Sequence, residues 1–236
     1  FVSRFDNGEL IEIDYSQLEF RVAGTLARDN KIKEEVENGF DVHAYTAKVL
    51  TDHGEPTERG PAKASTFRPL YGGTSGTPAQ MAYFKEFFAK YQGIFAWHTE
   101  LQERAIRTKR IITATRRQFD FPDCFRNSQG NASAKTQIVN YPVQSVATAE
   151  IVPLGVILLC NKLKELDLRS RVINTVHDSV LIDCHPDEIN IIKDIGPSCL
   201  LAAQDEAQRR FGLDTFIPLA VEMSRGKNWM EQYDFT

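Results

Sequence analysis

The sequence LIEIDYSQLEFR, residues 10–21, passes from an alternating segment into a segment with helical composition. Apolar and polar residues alternate up to Asp14, which predicts a strand that ends at this residue. The residues from Ser16 to Ala27 predict a helix. An aspartate at a strand end is most often a turn residue or a helix cap. A chemical role for Asp14 therefore depends on what the rest of the chain supplies.

A second aspartate lies in the segment Val176-His177-Asp178-Ser179, between two apolar runs. These runs, residues 171–176 and 180–184, predict a hairpin with a tight turn at His177 and Asp178. Two magnesium ions about 3.5–4 Å apart can hold the attacking and leaving oxygens of a phosphoryl transfer. Magnesium takes a few carboxylates together with substrate oxygens. Asp14 and Asp178 are therefore candidate metal ligands.

A third segment carries Arg59, Lys63, Phe67 and Tyr71, which are spaced by four residues. Residues 58–70 predict a helix, and residues with this spacing, here called the helix series, lie along one face wherever the chain is helical. Cations near a helix N-terminus favour phosphate binding. The alternative is an amphipathic helix whose cations extend into solvent.

A proline limits this third helix. Pro69 removes one intrahelical donor and disfavours helical geometry at Arg68. We therefore expect a kink or an early helix end there.

Composition argues against a secreted, disulfide-bonded or membrane-spanning protein. The chain of 236 residues has a formal net charge of −4 and four scattered cysteines without a CxxC pair. These features indicate reduced thiols in a cytosol-like compartment, and any positive surface for nucleic acid must be local. We find no signal-peptide pattern and no apolar run of membrane-spanning length. Arg116 belongs to the one dense basic stretch, residues 104–117.

The remaining elements predict an α+β fold. Alternation over residues 111–121 indicates a small hairpin, and residues 216–223 indicate a last strand. An apolar helix over 146–166 should be kinked by Pro153 or begin there. Residues 188–211 are helical, with a break expected at Gly196-Pro197. Strands near both ends with helices between them suggest an antiparallel sheet carrying a helical insertion.

The three segments, in this order, resemble motifs A, B and C of family A DNA polymerases, the bacterial polymerase I type. DYSQLEFR is similar to the family pattern DYSQIELR, and VHDS is similar to the HDE turn. The resemblance implies a polymerase palm at residues 1–37 and 128–236, carrying a largely helical fingers insertion at 38–127. A thumb is absent from the matched region. A phage or viral source is one interpretation.

The resemblance also implies residue roles. Asp14, Asp178 and the Tyr15 carbonyl would bind two Mg²⁺ ions, for which Mn²⁺ can substitute. Ser179 stands where the family commonly has a glutamate. Lys63 would donate a proton to the leaving pyrophosphate, and Asp14, Asp178 and Lys63 form the implied catalytic set. The implied dNTP-binding set is Arg59, Lys63, Phe67, Tyr71, Gln17, Glu19 and His43.

Glu19 resembles the family's gate against a ribose 2′-hydroxyl. The implied primer and template contacts are Asn140, Gln144, His177 and Arg116. Asn140 and Gln144 lie in a segment similar to the family's N-A-P-x-Q motif, in which Thr136 replaces an arginine.

The expected function is therefore a DNA-directed DNA polymerase that adds dNTPs to a primer 3′-hydroxyl and releases pyrophosphate. The expected partners are primer–template DNA, dNTPs and a thumb-bearing, or also exonuclease-bearing, segment or separate chain, with no membrane. The expected location is the cytoplasm, or the host cytoplasm for a phage enzyme. Two alternatives stay open. One is a related RNA polymerase or reverse transcriptase, and the other is a nucleic-acid-binding fragment that is inactive without a separate thumb-bearing chain.

Overall fold

A computed structural model describes residues 1–73 and 75–235. The chain divides into two compact units. One, the sheet unit, comprises Phe1–Leu18 and Val146–Thr236, and the other, the helical unit, comprises Glu19–Ser145. These boundaries differ from those expected for palm and fingers at 37/38 and 127/128. The assignment of the names palm and fingers stays a prediction.

The described residues form seven strands. They are β1 (Glu9–Tyr15), β2 (Arg110–Ile112), β3 (Gln118–Asp120), β4 (Arg171–Val176), β5 (Ser179–Cys184), β6 (Val221–Gly226) and β7 (Tyr233–Asp234). Five of them form an antiparallel sheet in the order β4-β5-β1-β6-β7, and β2 pairs with β3 in a separate hairpin. Both predicted hairpins are thus confirmed. The strand predicted at 216–223 corresponds to β6, at Val221–Gly226, and the last strand, β7, was not predicted.

The described residues also form ten α-helices. They are α1 (Leu18–Ala27), α2 (Asn30–Glu37), α3 (Val42–Asp52), α4 (Arg59–Thr66), α5 (Pro78–Lys90), α6 (Gln92–Thr108), α7 (Lys135–Val146), α8 (Val152–Glu165), α9 (Ile189–Leu201) and α10 (Ala203–Phe211). Helices α2 to α6 lie in the helical unit, and α8 to α10 lie in the sheet unit. The predicted α+β class is confirmed.

The core of the sheet unit is built on β1, the central strand. Leu10, Ile11 and Ile13 are fully buried, and every residue of β5 is buried beside them. Burying one such aliphatic side chain contributes about 1.5–3 kcal/mol. The Tyr15 hydroxyl donates a 2.7 Å hydrogen bond to the Leu200 carbonyl, which ties β1 to α9. The middle of the sheet is therefore a rigid support for the strand ends.

Three prolines that were expected to interrupt or limit helices have different effects on them. Pro153 lies in the first turn of α8, but α8 follows directly on a π-helical turn, Ala147–Ile151, so the helical run does not begin at this proline and is instead distorted just before it. Helix α4 ends at Thr66 and Pro69 begins a 3₁₀ turn, so the predicted early end is confirmed. Arg68 nevertheless has helical angles, φ −55° and ψ −46°. The break predicted at Gly196-Pro197 was wrong, because α9 continues through Pro197 and ends at Leu201.

One helical run corrects the sequence-based expectation about membrane-spanning length. The stretch Lys135–Glu165, 31 residues, is long and apolar enough to cross a membrane by length and composition alone. Half of its most apolar window is buried within the protein. Core helices pass the same test, so this single helix is weak support for a membrane span.

Candidate functional site

The sheet unit brings the two predicted metal-binding aspartates together. Asp14 lies on β1 directly opposite Ser179 of β5, and the Tyr15 amide donates a 3.2 Å hydrogen bond to the Asp178 carbonyl. Asp178 lies in the turn between β4 and β5, where His177 has a left-handed φ of 55°. Asp14, His177 and Asp178 line one open cavity of about 570 Å³. Two strand ends 164 residues apart in sequence therefore present their carboxylates to the same space.

The carboxylates in this cavity repel one another. Asp14 is exposed, but neighbouring protein atoms partly desolvate its carboxyl group. This desolvation, followed by repulsion from Asp178, Glu12 and Glu222, raises the pKa of Asp14 from 3.8 to about 6. Burial also raises the pKa of Asp178, against the opposing effect of its own backbone hydrogen bond and of His177. A bound cation would relieve both effects, because it favours the charged form of each carboxyl group.

The donor set fits magnesium in the sparse arrangement that this ion prefers. Within residues 1–73 and 75–235, no group of three or more His, Cys, Asp or Glu side chains is arranged as a metal centre. Magnesium is commonly held by one or two carboxylates with water and substrate oxygens completing its shell. Asp14 and Asp178 meet that requirement, with a carbonyl such as that of Tyr15 as a further protein ligand. The Tyr15 side chain itself is buried and serves packing.

The sequence analysis missed three acidic residues of this cavity, Glu12, Glu222 and Asp234. Glu12 lies two residues before Asp14 on β1, on the same face of the strand, and accepts a 3.1 Å hydrogen bond from Trp229 Nε1. Glu222 lies on β6 directly opposite Asp14, and accepts a 3.0 Å hydrogen bond from Ser16 Oγ. The strand period of two could have indicated Glu12. No local signal gives the register that brings Glu222 to Asp14.

Gln17, the remaining predicted residue of this unit, lies in the turn between β1 and α1. It has a left-handed φ of 52°. Such a backbone conformation is uncommon for residues other than glycine, so the turn is tightly specified.

In the helical unit, Arg59 and Lys63 occupy one face of α4. Arg59 Nε lies 2.5 Å from Asp41 Oδ2, and this hydrogen bond lowers the pKa of Asp41. Asp41 also caps α3 by accepting hydrogen bonds from the His43 and Ala44 amides. Lys63 is exposed and makes no ion pair among the described residues. Arg59 is thus oriented by the protein, whereas the ammonium of Lys63 is available to a ligand.

His43 is held in the interior next to this helix. Its Nδ1 lies 3.0 Å from Thr66 Oγ1, and Thr66 is bonded in turn to Thr46. Burial lowers the pKa of His43, and the charges of Lys63 and Arg59 lower it further. The neutral ring is therefore favoured at neutral pH, with a structural hydrogen bond fixing its orientation.

The two aromatic members of the helix series lie past the end of α4. The Phe67 ring packs against Phe20 and His43, with centroid distances of 5.6 and 5.3 Å. The Tyr71 hydroxyl is buried and makes no hydrogen bond within the described residues. Since the helix ends before both residues, the series does not continue along a single α-helical face. The predicted alignment holds for Arg59 and Lys63 only.

Two predicted residues from distant segments of the helical unit are in direct contact. Gln144 Nε2, on α7, donates a short hydrogen bond to Glu19 Oε1, on α1. Asn140 lies one turn before Gln144 on the same helix. Arg116 is exposed in the turn between β2 and β3, with a left-handed φ of 64°. The structure brings Glu19 and Gln144 together and places Arg116 on a separate hairpin.

The comparisons with known proteins agree on one family. The sequence model of DNA polymerase family A matches residues 1–231. DNA polymerase I of Pseudomonas aeruginosa is 30% identical over 243 residues, which cover 95% of this chain and 25% of that protein. DNA polymerase I of Bacillus subtilis is 27% identical, covering 92% of this chain and 25% of that protein. The DNA polymerase of Bacillus phage SP01 is 26% identical, and the match covers 100% of this chain and 28% of that protein.

A solved structure has the same fold. It is the POL domain of Pol1 from M. smegmatis in complex with DNA primer-template and dNTP. The TM-score is 0.77 at 24% sequence identity, and the match covers 97% of this chain and 41% of that one. This chain spans about a quarter of the length of the curated relatives it matches, as the 25% and 28% coverages show.

Proposed function

Because the chain belongs to DNA polymerase family A, we propose that it is the catalytic region of a DNA-directed DNA polymerase. The observation that carries the proposal is the single cavity that holds Asp14 and Asp178 on neighbouring strands. Fixed carboxylates with raised pKa values, placed by the centre of a rigid sheet, suit charge-neutralising phosphoryl transfer.

The proposed reaction transfers a nucleotide. The primer 3′-hydroxyl gives its proton to solvent water and attacks the α-phosphorus of a dNTP. A new P–O bond forms, and the bond from the α-phosphorus to the bridging oxygen of the β-phosphate breaks to release pyrophosphate. Asp14, Asp178 and the Tyr15 carbonyl would hold two Mg²⁺ ions, or Mn²⁺ in their place. When bound, these ions supply charge neutralisation and alignment of the attacking and leaving oxygens.

The cations of α4 would bind the triphosphate. Arg59 is oriented by Asp41, which supports a fixed contact with phosphate oxygens. Lys63 is exposed without an ion pair among the described residues, so it can donate a proton to the leaving pyrophosphate. His43, Phe67 and Tyr71 are proposed to contact the nucleotide nearby, together with Gln17.

The Glu19–Gln144 contact would serve sugar selection. Glu19 is proposed to exclude a ribose 2′-hydroxyl, and the amide of Gln144 fixes one oxygen of its carboxylate. Gln144 and Asn140 share a face of α7, and with His177 and Arg116 they are proposed to contact primer and template. Contacts of this kind position the duplex without reading its sequence.

Further polypeptide is proposed to complete the enzyme. The chain spans 25% of its P. aeruginosa relative and carries a net charge of −4, which gives little general attraction for DNA. A thumb-bearing segment or separate chain, which can also carry an exonuclease, would hold the duplex. The bacterial and phage relatives support a location in the bacterial or host cytoplasm.

A primer-extension assay tests the proposal, with the chain assayed alone and with its flanking or partner polypeptide. We expect Asp14→Asn and Asp178→Asn to abolish extension while DNA binding is kept. Asp6→Asn is the matched control, because Asp6 is exposed in the same unit and outside the cavity. Near-normal extension by Asp178→Asn at saturating magnesium would refute the assignment.

The same assay separates the alternatives. Use of ribonucleotides on DNA would indicate an RNA polymerase, and preference for an RNA template would indicate a reverse transcriptase. DNA binding without extension under every condition would indicate a binding fragment.

A further inference from the structure

A buried histidine that has no role assigned above lies in the helical unit. His98, on α6, is 3% exposed. Within the described residues neither of its ring nitrogens makes a hydrogen bond of acceptable geometry. The Leu70 carbonyl raises the pKa of His98, but by less than burial and Lys135 lower it. A buried polar group without a partner is destabilising, so such a group usually meets a ligand or a bound water.

A lysine without an ion pair lies close to this histidine. Lys135 is the first residue of α7, and burial lowers its pKa. Its stem runs over Gly72, since a Cβ added at Gly72 would lie 3.5 Å from Lys135 Cγ. Among the described residues, no carboxylate lies within ion-pairing distance of its ammonium. Its charge also acts on His98, because burial and then Lys135 lower the pKa of His98 to about 3.

Both side chains line one cavity of about 270 Å³. Phe88 and Phe95 form its apolar side, with the Phe88 ring 5.8 Å from the ring of His98. The other charged groups in its lining neutralise each other, because Arg126 Nη2 donates hydrogen bonds of 2.7 and 2.6 Å to the two carboxylate oxygens of Glu103. The positive charge of Lys135 is therefore not balanced by any other charged group that lines the cavity.

We propose that this cavity binds a phosphate group, which accepts hydrogen bonds from Lys135 Nζ and from an N–H of the His98 ring. Charge-assisted hydrogen bonds to phosphate would pair the Lys135 ammonium, which makes no ion pair among the described residues, and a His98 ring nitrogen, which makes no well-aligned hydrogen bond there. The phosphate group belongs either to a free anion or to a nucleic-acid backbone. The site does not depend on the proposed polymerase activity.

The test follows the histidine ring resonances of the 236-residue chain by NMR during titration with inorganic phosphate, and assigns His98 with the His98→Gln variant. We expect a saturable shift of the His98 signals and a rise in the pKa of His98. Lys135→Gln should weaken phosphate binding about tenfold or more, the loss expected for one charge-assisted hydrogen bond. Lys85→Gln, an exposed lysine on α5 outside the cavity, should bind phosphate as the wild type does.

Competition with pyrophosphate and with single-stranded oligothymidylate identifies the source of the phosphate group. Displacement by the oligonucleotide assigns it to a backbone, and displacement by pyrophosphate alone assigns it to a free anion. Urea unfolding checks that each variant is folded. The absence of a saturable shift in the wild type, or an equal affinity of folded Lys135→Gln, would overturn the proposal.

Discussion

Gln144 holds the carboxylate of Glu19 by a hydrogen bond from its side-chain amide, across 125 residues of sequence. The contact joins the first turn of α1 to the second half of α7 within the helical unit. An amide that donates to one carboxylate oxygen restricts the rotamers of both side chains. Glu19 is therefore a positioned group, and its position depends on Gln144.

This contact predicts that sugar selection has two contributors. Glu19→Ala should raise the ratio of ribonucleotide to deoxynucleotide kcat/KM, because the carboxylate that would crowd a 2′-hydroxyl is gone. Gln144→Ala should raise the same ratio by a smaller factor, because Glu19 remains but is less restrained. Gln137→Ala, an exposed glutamine on the first turn of α7, is the control. A ratio that moves in neither Glu19→Ala nor Gln144→Ala would place the gate elsewhere.

The raised pKa of Asp14 predicts a stability that depends on pH in metal-free protein. The folded-state pKa of about 6 exceeds the unfolded value of 3.8, so the folded state binds the proton more tightly. The resulting stability is fully present below 3.8 and is lost as pH rises through about 6. Asp14→Asn should therefore be more stable than the wild type at pH 8, by on the order of 1 kcal/mol after solvent screening. Urea unfolding in EDTA at pH 4 and pH 8 measures the difference.

Magnesium should reverse this ranking. Adding magnesium at pH 8 should raise the Tm of the wild type more than that of Asp14→Asn, because the cation offsets the repulsion among the carboxylates. Asp6→Asn should respond as the wild type does. An equal magnesium response of the wild type and Asp14→Asn would remove Asp14 from the metal site.

Phe67 predicts poor use of dideoxynucleotides. A dideoxynucleotide lacks the 3′-hydroxyl that can hydrogen-bond to its own β-phosphate, and a phenylalanine ring offers no substitute donor. Phe67→Tyr should raise the ddTTP to dTTP ratio of kcat/KM by about tenfold to hundredfold. This factor corresponds to the free energy of one hydrogen bond to a charged group. The ring contacts with Phe20 and His43 should tolerate one hydroxyl at the edge. An unchanged ratio would mean that Phe67 packs only within the helical unit.

The hydrogen bonds of Glu188 predict that its substitution lowers the stability of the fold, although Glu188 has no role in the chemistry. This 7% exposed carboxylate accepts 2.8 Å hydrogen bonds from the Arg169 and Ser170 amides and a 2.5 Å bond from Ser170 Oγ. Glu188→Ala should cost about 1–3 kcal/mol for each buried donor left unpaired. Glu165→Ala, which removes one exposed ion pair, should cost about 0–1 kcal/mol. Unfolding midpoints in urea compare the two, and equal midpoints would contradict the assigned role.

The elements near the two aspartates were predictable because their signals are local. Alternation gave β1, and two apolar runs around His177-Asp178 gave the β4–β5 hairpin. Pro69 correctly predicted an early end of α4, since a missing donor acts within one turn. Pro197 did not end α9, because packing of the helix outweighs the local preference.

The rest of the candidate site depends on tertiary register. Glu222 meets Asp14 only because β6 pairs with β1 in one particular alignment, and nothing within either segment specifies that alignment. The Glu19–Gln144 contact and the position of His98 likewise depend on how helices far apart in sequence pack. Spacing by four predicted one face for Phe67 and Tyr71, whereas the helix ends before both.

The central position of β1 has a consequence for how the chain acquires its structure. β1 pairs on one side with β5 and on the other with β6, so its first partner residues begin at Ser179, after the entire helical unit. Closing such long loops is entropically costly, and non-local pairing slows folding. During synthesis the apolar residues of β1 are exposed until Cys184 and then Gly226 leave the ribosome. We therefore expect the helical unit to fold first, and the sheet that positions Asp14 to form in the slow last phase.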